Sequence, residues 1–277
     1  MATQTARLPP ELERDIFERA ARVDQHCIPQ LLRVARRVFE WIEPLLYRKI
    51  SLGLGDGEDF EKRAGRVALS SKSQVYLARS VRQVVLDYMP EQDIHDVLQK
   101  LPWLTGVTHI SLYCQSHPDM LPVLAQLPIR RLGCHLRRTL GPQLLQEPRS
   151  AAAHPLFRAL THLCVHEVCS VIEPHAAELL PLLPVLTHLA LFLPQPESIV
   201  PHSWELLLER CPGLEVLVAL GILEEGPACG AEDMGGIIKV PRLVRCFPSV
   251  AWDEGTSDEP NYWTAAEDFI SRKRALI

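Results

Sequence analysis

Apolar and polar positions along the chain repeat one phrase, apolar-x-x-apolar-x-apolar. It occurs as Val81-Val84-Leu86, Val107-Ile110-Leu112, Ile129-Leu132-Cys134, Leu160-Leu163-Val165 and Leu186-Leu189-Leu191, and in shorter form as Leu214-Leu217. Short alternating runs of this kind predict strands. Most are preceded by a run with helical spacing that ends at Pro. Ile94, Val97, Leu98 and Leu101 precede Pro102, and Leu121, Leu124 and Leu127 precede Pro128. Leu179, Leu180 and Leu183 precede Pro184, and Trp204, Leu207, Leu208 and Cys211 precede Pro212. A helix does not continue through such a Pro, so helix, Pro turn and strand form one unit. The phrase starts at 81, 107, 129, 160, 186 and 214, in steps of 22 to 31 residues. The longest step carries Ala151-Ala152-Ala153 and reads as an insertion. One unit buries too little by itself, whereas stacked units share a continuous core. The alternation predicts an α/β array of parallel strands with helices on the outer face.

The first fifty residues follow a different pattern. Leu8-Pro9-Pro10-Glu11 opens a helix whose first turn holds Glu11, Glu13 and Asp15, as the positive end of a helix dipole favours. Leu12, Ile16 and Ala20, flanked by Phe17 and Ala21, make one apolar stripe over residues 11–21. After a break at Val23 to Pro29, a second helix is predicted over residues 30–42. Leu31, Val34, Ala35, Val38 and Ile42 lie on one face of it, and Pro44 ends it. Lys49-Ile50-Ser51-Leu52 is strand-like. Residues 53–73 hold Gly53, Gly55 and Gly57 outside any phosphate-binding spacing and read as a solvated loop. The expected organisation is a helical module at 1–52, a linker at 53–73, repeats at 74–255 and a C-terminal cap at 256–277. A closing strand near Leu243 to Cys246 ends the repeats, and the cap contains a helix from about Asn261 to Lys273.

Leu8-Pro9-Pro10-Glu11-Leu12, Ile16-Phe17, Leu31-Leu32-Arg33-Val34 and Pro44-Leu45-Leu46-Tyr47-Arg48 resemble an F-box. The repeat step is similar to that of leucine-rich repeats, about 20–29 residues. Over its length the chain resembles the F-box-like, leucine-rich-repeat-like proteins of mushroom-forming fungi. Their usual closing helix has its counterpart in Tyr262-Trp263-Thr264-Ala265-Ala266-Glu267-Asp268-Phe269 and the basic Arg272-Lys273-Arg274. The resemblance implies an irregular leucine-rich-repeat-like solenoid behind an F-box-like module. It also implies docking to a Skp1-like protein through Leu8, Pro9, Leu12, Ile16, Phe17, Leu31, Leu32, Val34 and Val38. Leucine-rich repeats commonly close their turns with Asn. Asn261 is the single Asn here, so these turns must close in another way.

Bulk properties narrow the function classes. Of 277 residues, 47% are hydrophobic and 23% charged, as in a folded globular chain. A net charge of -5 supplies no pull toward nucleic acid or anionic lipid. The eight cysteines form no Cys-x-x-Cys pair and several sit in apolar runs, which suits a reducing compartment. The opening residues lack the apolar core of a secretory signal. The most apolar stretch, Leu179 to Leu193, is broken by Pro181, Pro184 and His188 and is too short to span a bilayer. A cytoplasmic or nuclear protein without nucleic-acid or membrane partners is expected.

The candidate chemistry is sparse. His166-Glu167 lacks the second His of a zincin helix, because Ser170 stands in its place, and no Gly-x-Ser-x-Gly elbow occurs. Thr-His-apolar recurs at Thr108-His109, Thr161-His162 and Thr187-His188, which puts each His on the open strand face. His162 and His188 fall in adjacent strands with Cys164 and His166 near, but four convergent metal ligands are not in view. The expectation is therefore no catalytic residue, no metal and no cofactor. The leading reading is a non-enzymatic substrate-recognition adaptor of a Skp1–cullin–F-box ubiquitin ligase. In it His109, His162, His188 and Trp252 face an unidentified target protein. The alternative is a repeat-based interaction scaffold whose F-box-like segment is only a structural cap. A third class, a hydrolase or metal enzyme, requires His, Cys and carboxylate groups to converge.

Overall fold

Alternating Val, Ile and Leu at period two, flanked by Pro-terminated helical runs, produces a sheet with its strands in chain order. The computed structural model describes residues 8–24, 27–53, 60–113, 117, 119–166, 174–193, 201–221, 231–232, 242–246 and 261–275. The strands are β1 (Lys49–Leu52), β2 (Gln83–Leu86), β3 (His109–Leu112), β4 (Arg131–Cys134), β5 (His162–Val165), β6 (His188–Leu193), β7 (Val216–Gly221), β8 (Ala231–Glu232) and β9 (Leu243–Cys246). They form one nine-stranded sheet in the order β1-β2-β3-β4-β5-β6-β7-β9-β8. All neighbours run parallel except β8 on β9. The expected α/β class, parallel strands and outer helices are therefore present. The closing strand at Leu243 falls where the pattern placed it.

The phrase residues supply the core. Val84, Leu86, Ile110, Leu112, Leu132, Leu163, Leu189 and Leu217 point to one sheet face. There they pack with helices such as α6 (Glu91–Lys100), which brings in Ile94 and Leu98. Val81, Val107, Ile129, Leu160, Leu186 and Leu214, the first residue of each phrase, are buried in the turn before the strand.

The turns close through the backbone. The carbonyls of Arg48, Arg82, Thr108, Arg130, Thr161 and Thr187 each accept two consecutive N–H groups from the start of the next strand, for example His162 and Thr161 onto Arg130 at 3.0 and 2.9 Å. This ladder satisfies the buried turn amides that an Asn side chain serves elsewhere.

Among the described residues the opposite face is covered at its C-terminal end. There α12 (Tyr262–Ala275) lays Tyr262, Trp263, Ala266 and Ile270 against Ala190, Phe192, Val216, Val218, Leu220 and Val244. The lone Asn starts this helix. Asn261 Oδ1 accepts the N–H of Trp263 at 2.9 Å, and Thr264 Oγ1 accepts the Asn261 N–H at 2.9 Å. That reciprocal cap and the basic Arg272, Lys273 and Arg274 at the other end suit the helix dipole.

The N-terminal segment departs from expectation in several places. The helices are α1 (Pro10–Val23), α2 (Ile28–Leu31) and α3 (Arg36–Leu46). The second predicted helix is split because Ala35 is extended, at φ -162° and ψ 157°, and restarts the chain as a cap. Pro44 lies inside α3 near its end, where its missing N–H costs a single bond. Lys49 to Leu52 is the first strand of the sheet and no part of a separate module. Residues 60–71, expected within a linker, form the helix α4 (Phe60–Ser71) and lie against β1. Ala68 and Leu69 at adjacent positions bury into the common core, a stripe that the nearby glycines obscured.

Of the residues expected to meet a Skp1-like protein, Val38 is buried in a local cluster with Ala21, Ile28 and Ile42, so it is closed to a partner. Phe17, Leu31 and Leu32 pack against that cluster. Leu8, Pro9, Leu12, Ile16 and Val34 are exposed. Among the described residues no helix is long and apolar enough to cross a membrane.

His166 is among the buried polar rings at the sheet. His166 follows β5 and stacks on Tyr113, with centroids 4.6 Å apart and planes 3° from parallel. Gly133 makes room for it, since a Cβ there would stand 2.9 Å from His166 Nε2. Burial, reinforced by His135, pushes the ring down to about 3, and only the Leu112 backbone acts in the opposite direction.

Two stability predictions follow from this packing. Ile42→Ala should cost roughly 2–5 kcal/mol, whereas Leu12→Ala and Ile16→Ala, at 53% and 54% exposure, should stay within about 0.5 kcal/mol. Urea unfolding of the three variants checks the contrast. For His166 the folded chain disfavours the proton that the unfolded chain accepts. Its stabilising contribution is therefore full above the ordinary histidine range and drains away as pH falls toward about 3. Between pH 7 and pH 5 the native chain should lose roughly 2 kcal/mol through this group. His166→Phe keeps an aromatic stack and should lack that part of the slope. Equal pH slopes in both proteins would refute the assignment.

Candidate functional site

Parallel register places one residue of each strand in a row across the face opposite the outer helices. The row runs Lys49, Gln83, His109, Arg131, His162, His188 and Val216. The three Thr-His histidines share this face, as the alternation predicts. His109 stands apart from the other two because Arg131 intervenes. His109 and His188 are buried, contrary to the expectation that they face a partner, while His162 is half-buried. Trp263 and Glu267 of α12 cover His188. Trp252 lies outside the described residues.

His162 and His188 are paired in register and their rings stack at 4.0 Å, with planes 9° apart. Trp263 of α12 sets its ring nearly perpendicular to both, with centroids at 5.4 and 5.7 Å. One helical turn further on, Glu267 Oε1 lies 2.9 Å from His188 Nε2. The Asn261 cap thus fixes α12 so that an aromatic ring and a carboxylate descend together onto the histidine pair. Each preceding Thr holds its neighbour's ring by Nδ1, with Oγ1 distances of 2.8 Å for both His162 and His188. The Thr161 hydroxyl also donates to the Arg130 carbonyl at 3.2 Å, and the Thr187 hydroxyl to the Thr161 carbonyl at 3.3 Å. A hydroxyl has one proton. When it donates to the carbonyl, it accepts from the ring, which assigns the proton to Nδ1 and leaves the Nε2 lone pair outward.

Electrostatics keeps both rings neutral. Burial pushes His162 down to about 2, with His188, Arg131 and His109 adding to the shift. His188 is also lowered, first by burial and then by Arg131, while Glu267 and Glu215 partly oppose them. Neutral imidazoles that carry a lone pair on Nε2 are donors to a metal ion, and the Nε2 of His188 faces Glu267 Oε1. The ligand atoms of His162, His188 and Glu267 all lie within 4.8 Å of one another. The Glu267 side chain is 47% exposed, so the group opens to solvent on that side.

Cys164 and His166, the other two groups near the pair in sequence, do not join it. Cys164 lies under α12 beside Tyr262, and burial pushes its thiol up to about 12. His166 is held on Tyr113. The third ligand came instead from 79 residues away. Its only signal in the sequence was the Trp263–Glu267 spacing of one turn. A second group, His95, His117 and Asp119, also converges. It lies near the surface, and His95 Nε2 is already bonded to Gln99 at 2.8 Å.

No family model matches this chain, and no curated protein matches it. Among solved structures, a D-isomer specific 2-hydroxyacid dehydrogenase family protein from Klebsiella pneumoniae 342 is similar over 82% of this chain and 95% of that chain, at 13% identity and a TM-score of 0.22. The expected adaptor function, with its scaffold alternative, is not retained, since no family model and no curated protein identifies an adaptor, and the expectation of a non-enzymatic chain is left without support. At this TM-score the likeness assigns the present chain neither a fold nor an activity.

Proposed function

We propose that the protein binds a divalent transition-metal ion, of the zinc class, at His162, His188 and Glu267. The convergence of two imidazole nitrogens and one carboxylate oxygen within 4.8 Å supports the reading. Nitrogen and carboxylate donors suit zinc, and three protein ligands leave its fourth position for water or a substrate. The Thr161 and Thr187 hydroxyls act as the outer partners that orient ligating histidines in metal sites. The two lone pairs run side by side in the stacked pair, so one ring turns about Cβ–Cγ when both bind the same ion. An ion at this place supplies Lewis acidity and lowers the pKa of its bound water. The sheet that carries the site is read as an irregular repeat array of the leucine-rich-repeat kind, supported by its chain-order strands and recurrent turn carbonyls.

Calorimetric titration of the full chain with Zn²⁺ should show one site that Glu267→Gln weakens by roughly tenfold or more, as one metal ligand is worth at least that. At a hundredfold excess over Kd, zinc should stabilise the native chain by about 2.7 kcal/mol. Glu267 is a surface carboxylate, so the variant should remain folded by circular dichroism. Unchanged affinity in Glu267→Gln, or no zinc uptake by the native chain, would overturn the proposal.

A further inference from the structure

We propose that the exposed face of α1 pairs with the same helix of a second copy of this chain, antiparallel about a two-fold axis. The proposal does not involve the metal site and is tested apart from it.

The face is apolar and turned away from the body. α1 packs on α3, with Ala21 buried and Phe17 against the local cluster. At about 100° per residue, Leu12, Ile16 and Val23 fall within about 40° of one another on the opposite side of the helix. They are 53%, 54% and 83% exposed. An apolar stripe of this width is the seam of a helix pair.

The charges beside the stripe identify its occupant. Along one flank, Glu11 and Asp15 lie in the N-terminal half and Arg19 and Arg22 in the C-terminal half. Other charges of α1 are bonded within the chain, Glu13 to Arg37 at 2.6 Å and Glu18 to Arg14 at 2.6 Å and Arg22 at 2.9 Å. Among the described residues Glu11, Asp15 and Arg19 have no ion-pair partner. A two-fold axis sets a flank against the same flank of the copy and reverses the chain direction. Asp15 then meets Arg19 of the second copy, twice in each dimer. Glu11 falls opposite Arg22, whose side chain stays 58% exposed beside Glu18. The same register sets Leu12 opposite Val23 and Ile16 close to Ile16, centred near Phe17. Apolar and charged positions thus agree on one alignment. A parallel pair would set Asp15 against Asp15 and Arg19 against Arg19. A stripe that matches its own reversed sequence points to a second copy rather than to an unrelated protein. One helix per subunit is a small contact, so the dimer is weak and depends on concentration.

The test is sedimentation equilibrium of the full chain without added metal, up to about 1 mM protein. The native chain should pass from monomer to dimer. Ile16→Asp sets two carboxylates at the axis and should leave a monomer. Asp15→Arg and Arg19→Asp each set like charges opposite one another and should weaken the dimer roughly tenfold, as two exposed pairs reverse at once. An equimolar mixture of these two variants should dimerise about as well as the native chain, because each then meets the opposite charge on the other. All three positions are exposed, so circular dichroism should match the native chain. Should Ile16→Asp not fold, the two charge variants and their mixture carry the test. A native chain that stays monomeric throughout overturns the proposal and leaves the stripe to a different protein. A dimer that ignores a folded Ile16→Asp, or a mixture no stronger than either charge variant alone, also overturns it.

Discussion

The register of the parallel strands is the constraint on which the rest of this structure depends. Six turn carbonyls, each accepting two amides of the next strand, lock the strands from β1 to β7 to their neighbours at the same residue of the phrase. With the step fixed, side chains at equivalent positions line up across the sheet. The apolar positions meet on one face and form the continuous core. The residue just before each second apolar position falls into a row on the other face. A slip of one residue in any strand would exchange the two faces, so the core and the polar row are specified together.

That row carries an unusual electrostatic load. Three histidines and an arginine lie within one ladder, and burial pushes His162 down to about 2 and lowers His188 as well. Repulsion adds to burial, since each ring that stays neutral spares its neighbours a like charge. The Thr hydroxyls complete the arrangement by bonding Nδ1, so lone pairs rather than protons face outward at His162 and His188. A carboxylate 2.9 Å from one of those nitrogens supplies the third acceptor atom of a set that a cation can satisfy together.

The first helices show how an apolar pattern can be read correctly and placed wrongly. The stripe of Leu12, Ile16 and Phe17 is present, but only Phe17 packs inward, while Val38 of the second stripe closes the local core. Tyr47 and Tyr76 meet edge to face at 6.0 Å with Lys72 over both rings, and Lys72 pairs with Glu43 at 2.7 Å. These contacts tie the helical segment to the strand region, so Ile50 and Leu52 begin the sheet where the sequence pattern had suggested a boundary.

The strands and their order, the helices that end at Leu-Pro or Cys-Pro, and the shared face of the Thr-His histidines were legible in the sequence. Each depends on neighbours a few residues apart, and period two or a Pro stop records such relations directly. The helix at residues 60–71 was hidden among glycines and charges because its anchoring stripe is short. Glu267 was hidden for a stronger reason. Nothing near it in sequence marks it as a ligand, and its distance to His188 depends on the Asn261 cap, the docking of α12 on the last strands and the register of β5 with β6. The sequence by itself determined which side chains share a face of the sheet, since alternation is a local property of an extended backbone. Only the tertiary structure decided which of them meet, because that depends on where a helix 79 residues away is packed to bury its own apolar side.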